Sequence, residues 1–264
     1  MRLSDYMGRI IAIASGKGGV GKTTLVANLG IALAKAGKKV IMVDADLDMA
    51  NLELVLGMEG RPITLQDVLN GEAHTQDAVY DVIENAKFVP AGISPSQFRR
   101  VDPEKLQRTV LEYSGNADFV LLDCPAGVGR DTIACFAACK ETILVVVPEP
   151  ISATDAYKTR IVAEKMGSEI LGAVMNMIRG IKGELTEREV QTLLECPILA
   201  KINDDPLVRE CVVAGKPIVR QYPTTQTSQI IRRLASELAG VAFKVEAPKQ
   251  SIVSRLFGFL KRKR

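Results

Sequence analysis

Gly16-Lys17-Gly18-Gly19-Val20-Gly21-Lys22-Thr23-Thr24 is the stretch that decides how this chain folds. It satisfies G-x-x-x-x-G-K-[ST], the phosphate-binding loop. Its glycines let successive backbone N–H groups turn inward around a polyphosphate. Lys22 is expected to reach the β- and γ-phosphates, and the Thr23 hydroxyl to hold Mg²⁺. The flanks agree: residues 9–15 (RIIAIAS) read as a buried strand and residues 24–36 as a helix. A helix N-terminus behind the loop adds a favourable dipole and free N–H donors for an anion. Gly16 to Thr24 are therefore assigned as a nucleotide cradle.

Apolar strands and helical patterns alternate outward from this loop, the signature of an α/β fold with a parallel sheet. Strands are expected at 39–44 (KVIMVD), 88–90, 118–123 (DFVLLD), 142–147 (TILVVV), 169–176 (EILGAVMN) and 197–202. Helices are expected at 102–113, 129–138, 152–165, 186–194 and 206–214, with a long one over 225–244. Pro248 and its polar neighbours break the pattern before a short tail. The predicted architecture is a mostly parallel twisted sheet with helices on both faces (residues 1–247), then a linker and an amphipathic tail helix (248–264). Ligands of such sheets lie beyond the carboxyl ends of the strands.

Composition narrows the class. At 264 residues and 47 % hydrophobic, the chain can fill one core. Tryptophan is absent and aromatics are scarce, against a base-stacking surface. No apolar run approaches the ~20 residues of a membrane span, and the first apolar run leads straight into the loop, unlike a signal peptide. Cys124, Cys135, Cys139, Cys196 and Cys211 lack C-x-x-C spacing and read as reduced core thiols. His74, in a polar segment, reads as a surface residue.

Three carboxylates, Asp44, Asp46 and Asp48, crowd the end of the strand at 39–44. Acids this close to phosphates repel the ligand unless a cation or water intervenes. A solvated turn capping the next helix is the plain alternative, and it suits Asp48. Asp123 closes the strand 118–123 and precedes Cys124-Pro125-Ala126-Gly127-Val128-Gly129. A carboxylate there is expected to bind Mg²⁺ directly or through water, which seldom needs more than one or two carboxylates. Gly127 and Gly129 would let the segment move with a terminal phosphate. Asn176 ends its strand, where an amide serves a base edge or a turn equally well.

K-G-G-V-G-K-T-T resembles the deviant phosphate loop of the MinD/ParA family. So do D-A-D-L-D-M-A-N-L at 44–52, D-C-P-A-G at 123–127, V-V-V-P-E-P at 145–150 and N-M at 176–177. The resemblance covers nearly the whole chain. It implies a Mg²⁺-dependent ATP hydrolase, with ATP and Mg²⁺ as cofactors. Lys17 would reach across a dimer interface to the partner's nucleotide. Asp46 would orient the attacking water, Asp44 would sit near Mg²⁺, and Asn176 would recognise adenine. Lys17, Lys22 and Asp46 are the expected catalytic residues, and Thr23, Asp44 and Asp123 the expected metal-side residues. No motif for another acceptor is present, so water is expected to take the phosphoryl group.

The tail is the second informative stretch. At roughly 100° per residue, Ile252, Val253, Leu256, Phe257, Phe259 and Leu260 fill one arc about 160° wide. Ser254, Arg255, Gly258, Lys261 and Arg262 face the other way, as in an interfacial amphipathic helix. Residues 251–264 carry five basic side chains and no acid, so a net charge of +3 leaves the remaining chain at −2. A mildly acidic body disfavours a nucleic-acid face. The family's membrane-targeting tails look similar. The expected partners are a second copy when ATP is bound, an anionic membrane surface and a regulatory protein. The expected place is cytoplasmic, peripheral on the inner face of the cell membrane, and the expected role is to position division or other polar machinery. Flagellar-number regulators and partition ATPases of the same family are alternatives; an iron–sulfur carrier would require paired cysteines.

Overall fold

The computed structural model describes residues 7–92 and 102–243. In chain order the strands are β1 (Arg9–Ala14), β2 (Val40–Asp44), β3 (Tyr80–Ile83), β4 (Ala86–Val89), β5 (Phe119–Asp123), β6 (Glu141–Val146), β7 (Glu169–Ile178) and β8 (Ile198–Asn203). The helices are α1 (Lys22–Lys35), α2 (Leu52–Leu56), α3 (Leu65–Asn70), α4 (Pro103–Ser114), α5 (Arg130–Ala138), α6 (Pro150–Lys165), α7 (Glu187–Leu194), α8 (Pro206–Val213), α9 (Ile218–Gln221) and α10 (Gln226–Ala239). The strands form one sheet in the order β3-β4-β2-β5-β1-β6-β7-β8. Among the described residues only the β3–β4 pair is antiparallel.

Central strands covered on both faces read as continuous apolar runs, and β1 shows why. Ile11 and Ile13 join one core with α1, α2 and α10 residues. Ile10, Ala12 and Ala14 join the opposite core, with Leu106 and Val110 of α4 and Cys135 and Phe136 of α5. A third cluster joins Leu144 and Val146 to Ala153 of α6 and Val190 of α7. Helix α1 lies so close to the sheet that a Cβ on Gly30 would stand 2.3 Å from the Met42 sulfur. The phosphate loop, the acids that end β2 and β5 and the last residues of β7 consequently gather at the carboxyl ends of the parallel strands.

The expected strands and helices are present, with shifted ends. The last helix stops at Ala239 rather than running on to 244, because Gly240 takes a left-handed conformation (φ 64°) that closes the helix through its own N–H. Strand β4 begins at Ala86, two residues before the expected 88. The sequence reading missed β3, α2, α3 and α9, each four to six residues long. Segments that short hold too few residues to establish a hydrophobic period. His74 is exposed and precedes a single 3₁₀ turn, Thr75–Ala78, with its N–H donating to Asp77 Oδ2 at 3.1 Å. The expected tail, including Ile252, Val253, Leu256, Phe257, Phe259 and Leu260, lies outside the described residues.

Candidate nucleotide-binding site

The loop between β1 and α1 has the backbone shape its glycines permit. Gly19 (φ 77°) and Gly21 (φ 92°) are left-handed, where a Cβ is strained. Gly18 and Gly19 face open space. Gly21 caps α1 without a side-chain acceptor, so the first N–H groups of the helix remain for an anion. Gly16 answers a different need. A Cβ there would stand 2.1 Å from the Asp155 carbonyl carbon, so α6 packs against the loop where a side chain would sit. The Ser15 hydroxyl donates to the Lys17 carbonyl at 2.7 Å, and the Asn176 amide donates to the Val20 carbonyl at 2.8 Å. Both bonds hold the loop from below. Lys22 is 8 % exposed, whereas Lys17 points from the loop's outer lip into solvent.

Register brings the acids together. Ile13 pairs with Asp123, and Asp123 pairs with Asp44, across three adjacent strands. Asp44 is buried and accepts three backbone N–H bonds: Asp46 at 3.1 Å on Oδ1, and Asn51 at 3.1 Å and Leu52 at 3.0 Å on Oδ2. It thereby folds the segment 45–52 back over the strand end. Burial first, and the neighbouring Asp123 second, push its carboxyl well above the usual carboxylate range, against the pull of the Leu52 and Asp46 N–H groups. Asp46 accepts the Met49 N–H at 3.0 Å and stays partly exposed.

Burial raises Asp123 to about 7; the Thr23 hydroxyl and the Lys22 ammonium oppose the shift, and Asp46 adds to it. Its Oδ1 is buried with no hydrogen-bond partner. A buried carboxylate oxygen left over beside a threonine hydroxyl and a phosphate loop fits a divalent cation. The segment after Asp123 is tied to the loop's entry, since Gly127 (φ 83°) donates its N–H to the Ser15 carbonyl at 2.9 Å.

Beside α1 opens a cleft walled by Thr24, Leu25, Val174, Ile202, Ile218 and Ile231. Asn176 also lines it. Met177, next in the chain, takes a left-handed conformation (φ 55°) where the β7–β8 register shifts. Asp204, another lining residue, pairs with Arg179 at 3.1 Å and Arg209 at 2.6 Å. Asn28, inside α1, accepts the Val219 N–H at 3.1 Å and so fixes α9 to the helix behind the loop. The sequence reading missed Asn28, Asp155, Asp204 and Arg209. Asn28 and Asp155 act on segments far away in the chain, so nothing local marks them, and the Asp204–Arg209 pair gains its place beside the cleft only from the fold.

Gly16 to Thr24, Asp44, Asp46, Asp123 and Asn176 thus lie at or just beyond the carboxyl ends of β1, β2, β5 and β7. The five cysteines are buried and free. Among the described residues no three His, Cys, Asp or Glu side chains group to hold a metal ion, and no helix is long and apolar enough to cross a membrane.

Comparison with known proteins gives a consistent result. The ParA family model, described as NUBPL iron-transfer P-loop NTPase, matches residues 6–239. An uncharacterised ATP-binding protein of Methanocaldococcus jannaschii is 42 % identical over 254 residues, 94 % of this chain and 96 % of that protein. The septum site-determining protein MinD of Thermotoga maritima is 32 % identical over 97 % of each chain. The structure of MinD from Pyrococcus horikoshii complexed with Mg-ADP superposes with a TM-score of 0.83 at 40 % identity, over 88 % of this chain and 96 % of that one. The phosphate loop, the paired strand-end acids and these likenesses agree: this chain belongs to the MinD/ParA family of P-loop ATPases.

Proposed function

We propose that this chain hydrolyses ATP to ADP and phosphate with Mg²⁺, pairs with a second copy when ATP is bound, and carries that pair to an anionic membrane surface through its tail. One observation carries the reading. An open glycine cradle, a buried Lys22 and an unpartnered Asp123 oxygen meet at one edge, and Lys17 points outward from the same loop. Phosphoryl transfer needs positioning and charge stabilisation rather than covalent chemistry. Bound Mg²⁺ supplies positive charge to the phosphate oxygens. Thr23 and Asp123 would hold it, and Asp44 holds the segment that carries Asp46. Asp46 would orient the attacking water, and Lys22 would neutralise the β- and γ-phosphates. Asn176 would serve adenine while bracing the loop, in a cleft whose apolar walls suit a flat base.

The exposed Lys17 would act on the nucleotide of the second copy, as the family resemblance implies. Two large apolar side chains stand exposed in the segments that follow β2 and β6: Met49 is 69 % and Ile151 70 % exposed. They suit a face that a second copy covers. Two tails on one pair would bind lipid together. A single short tail is weak, since each Lys or Arg near an anionic leaflet contributes about 1 kcal/mol, and linkage of two can add about 10²-fold. Residues 248–264 are assigned this role, and residues 1–247 the ATPase. Such a pair would sit peripherally on the inner face of the cell membrane and position division or other polar machinery. A −2 body speaks against a partition ATPase bound to nucleic acid.

The test is light scattering of the Asp46→Ala protein with ATP and Mg²⁺, and then sedimentation with anionic vesicles. The mass should double with ATP and not with ADP, and vesicle binding should track the mass. Particles that stay single with uncleaved ATP refute the mechanism.

A further inference from the structure

Lys17 sits in the most permissive backbone of the site. Gly16 precedes it, and Gly18 and Gly19 follow. A Cβ on Gly18 or Gly19 would meet nothing within 4 Å, so no neighbouring atom confines that half of the loop. Yet a charge stabilises a transferring phosphoryl group only where it is fixed in advance. Among the described residues one hydrogen bond reaches residues 16–19, and it comes from the Ser15 hydroxyl, which donates to the Lys17 carbonyl at 2.7 Å. We propose that Ser15 is a positioning residue for phosphoryl transfer: its hydroxyl fixes the Lys17 peptide, so that the ammonium is held ready for the nucleotide of the second copy. The proposal rests on the role assigned to Lys17 above.

Ser15 is built as a fixed post. It follows directly on β1 and is fully buried. The end of β1 is held from two sides. Ile13 and Ala14 pair with Ile143 and Leu144 of β6. On the other side, the Ile13 carbonyl accepts the Cys124 N–H at 3.2 Å and the Ser15 carbonyl accepts the Gly127 N–H at 2.9 Å. Gly16, between the post and Lys17, is closed in by the α6 backbone at Asp155. Ser15 thereby joins Lys17 to the segment that follows the Asp123 carboxylate.

A buried hydroxyl costs free energy unless it is bonded, and the Lys17 carbonyl is the partner it has. Alanine would fill the same place without that requirement, so stability by itself does not call for a hydroxyl here. Loss of one such bond is worth about tenfold, and displacing a catalytic group by about 1 Å can cost as much as 10²-fold.

Phosphate release from mixtures of two chains tests this. The Asp46→Ala chain should bind ATP without cleaving it, and it lends an intact Lys17 to whichever chain it pairs with. Alone, Ser15→Ala should release phosphate about tenfold more slowly than the parent protein, with KM for ATP and affinity for ADP within about twofold. In an excess of Asp46→Ala chain, nearly every Ser15→Ala chain is served by a well-placed Lys17. Its turnover should then return to that of the parent chain in the same excess. A defect in the Ser15→Ala chain's own cradle would stay with that chain and escape rescue. Ser15→Cys keeps the volume with only a weak donor; it should show a milder loss and the same rescue, and it carries the test if Ser15→Ala fails to fold. The Lys17→Ala chain in the same excess should also be rescued. If it is not, Lys17 does not act across the pair, and that reading fails and takes the proposal with it. If Lys17→Ala is rescued and the Ser15 variants are not, the role of Ser15 alone is overturned. Unchanged turnover in both Ser15 variants overturns it too, as does an ADP affinity that falls as far as turnover.

Discussion

Replacing Asp123 by Asn should make the nucleotide-free protein more stable above neutral pH while it abolishes function. Asp123 is fully buried beside Asp44, and its carboxyl sits near 7 instead of 3.8. Below pH 3.8 it is protonated in both folded and unfolded chains and costs nothing. Between 3.8 and about 7 the unfolded chain gives up the proton and the folded chain keeps it, so stability falls as pH rises. Above about 7 the cost is constant at about 4 kcal/mol. From pH 5 to pH 8 this one group removes about 3 kcal/mol. With a urea slope of roughly 3 kcal/mol/M, the midpoint moves by about 1 M. The amide in the Asp123→Asn protein would keep the shape and an acceptor for Thr23 without the charge. Urea unfolding in chelator, without nucleotide, at both pH values measures the difference. The parent protein should lose about 1 M in midpoint that the Asp123→Asn protein keeps. Mg-ADP should stabilise the parent protein strongly and the variant little. Parallel pH profiles for the two proteins would refute the argument that burial of this carboxylate stores the strain.

The other expectations address the loop and its supports. Lys17→Ala should leave nucleotide affinity within a few-fold but reduce phosphate release by about 10³-fold or more, the scale of a charge supplied from a partner; equal loss of binding and turnover would place Lys17 in the cradle of its own subunit. Asn176→Ala removes the bond to the Val20 carbonyl and should weaken nucleotide binding by about tenfold in a fluorescent-nucleotide titration, on the scale of one buried hydrogen bond. Gly16→Ala drives a methyl into the backbone of α6 and should destabilise the fold by about 2 kcal/mol or more in urea melts, with or without nucleotide.

How much of the site could be read in the sequence depends on how local each constraint is. Gly19, Gly21, Lys22 and Thr23 act within one turn of chain, and their spacing announces them. Asp44 and Asp123 are legible because each closes an apolar run, although their spacing of 79 positions gives no hint that they are register partners. The three N–H bonds that occupy Asp44 are not legible, because they depend on how residues 45–52 fold back.

By itself the sequence determined the fold class, the phosphate loop, the acids beside it and the family likeness. Hydrophobic period and glycine spacing are local physics, written residue by residue. Only the tertiary structure decided that Gly16 is required by α6, that Asn176 braces the loop at Val20, that Asp44 pins the segment bearing Asp46, and that Ser15 meets both Lys17 and Gly127. Those facts arise where segments distant in sequence meet, and close packing, not period, sets which atoms touch there.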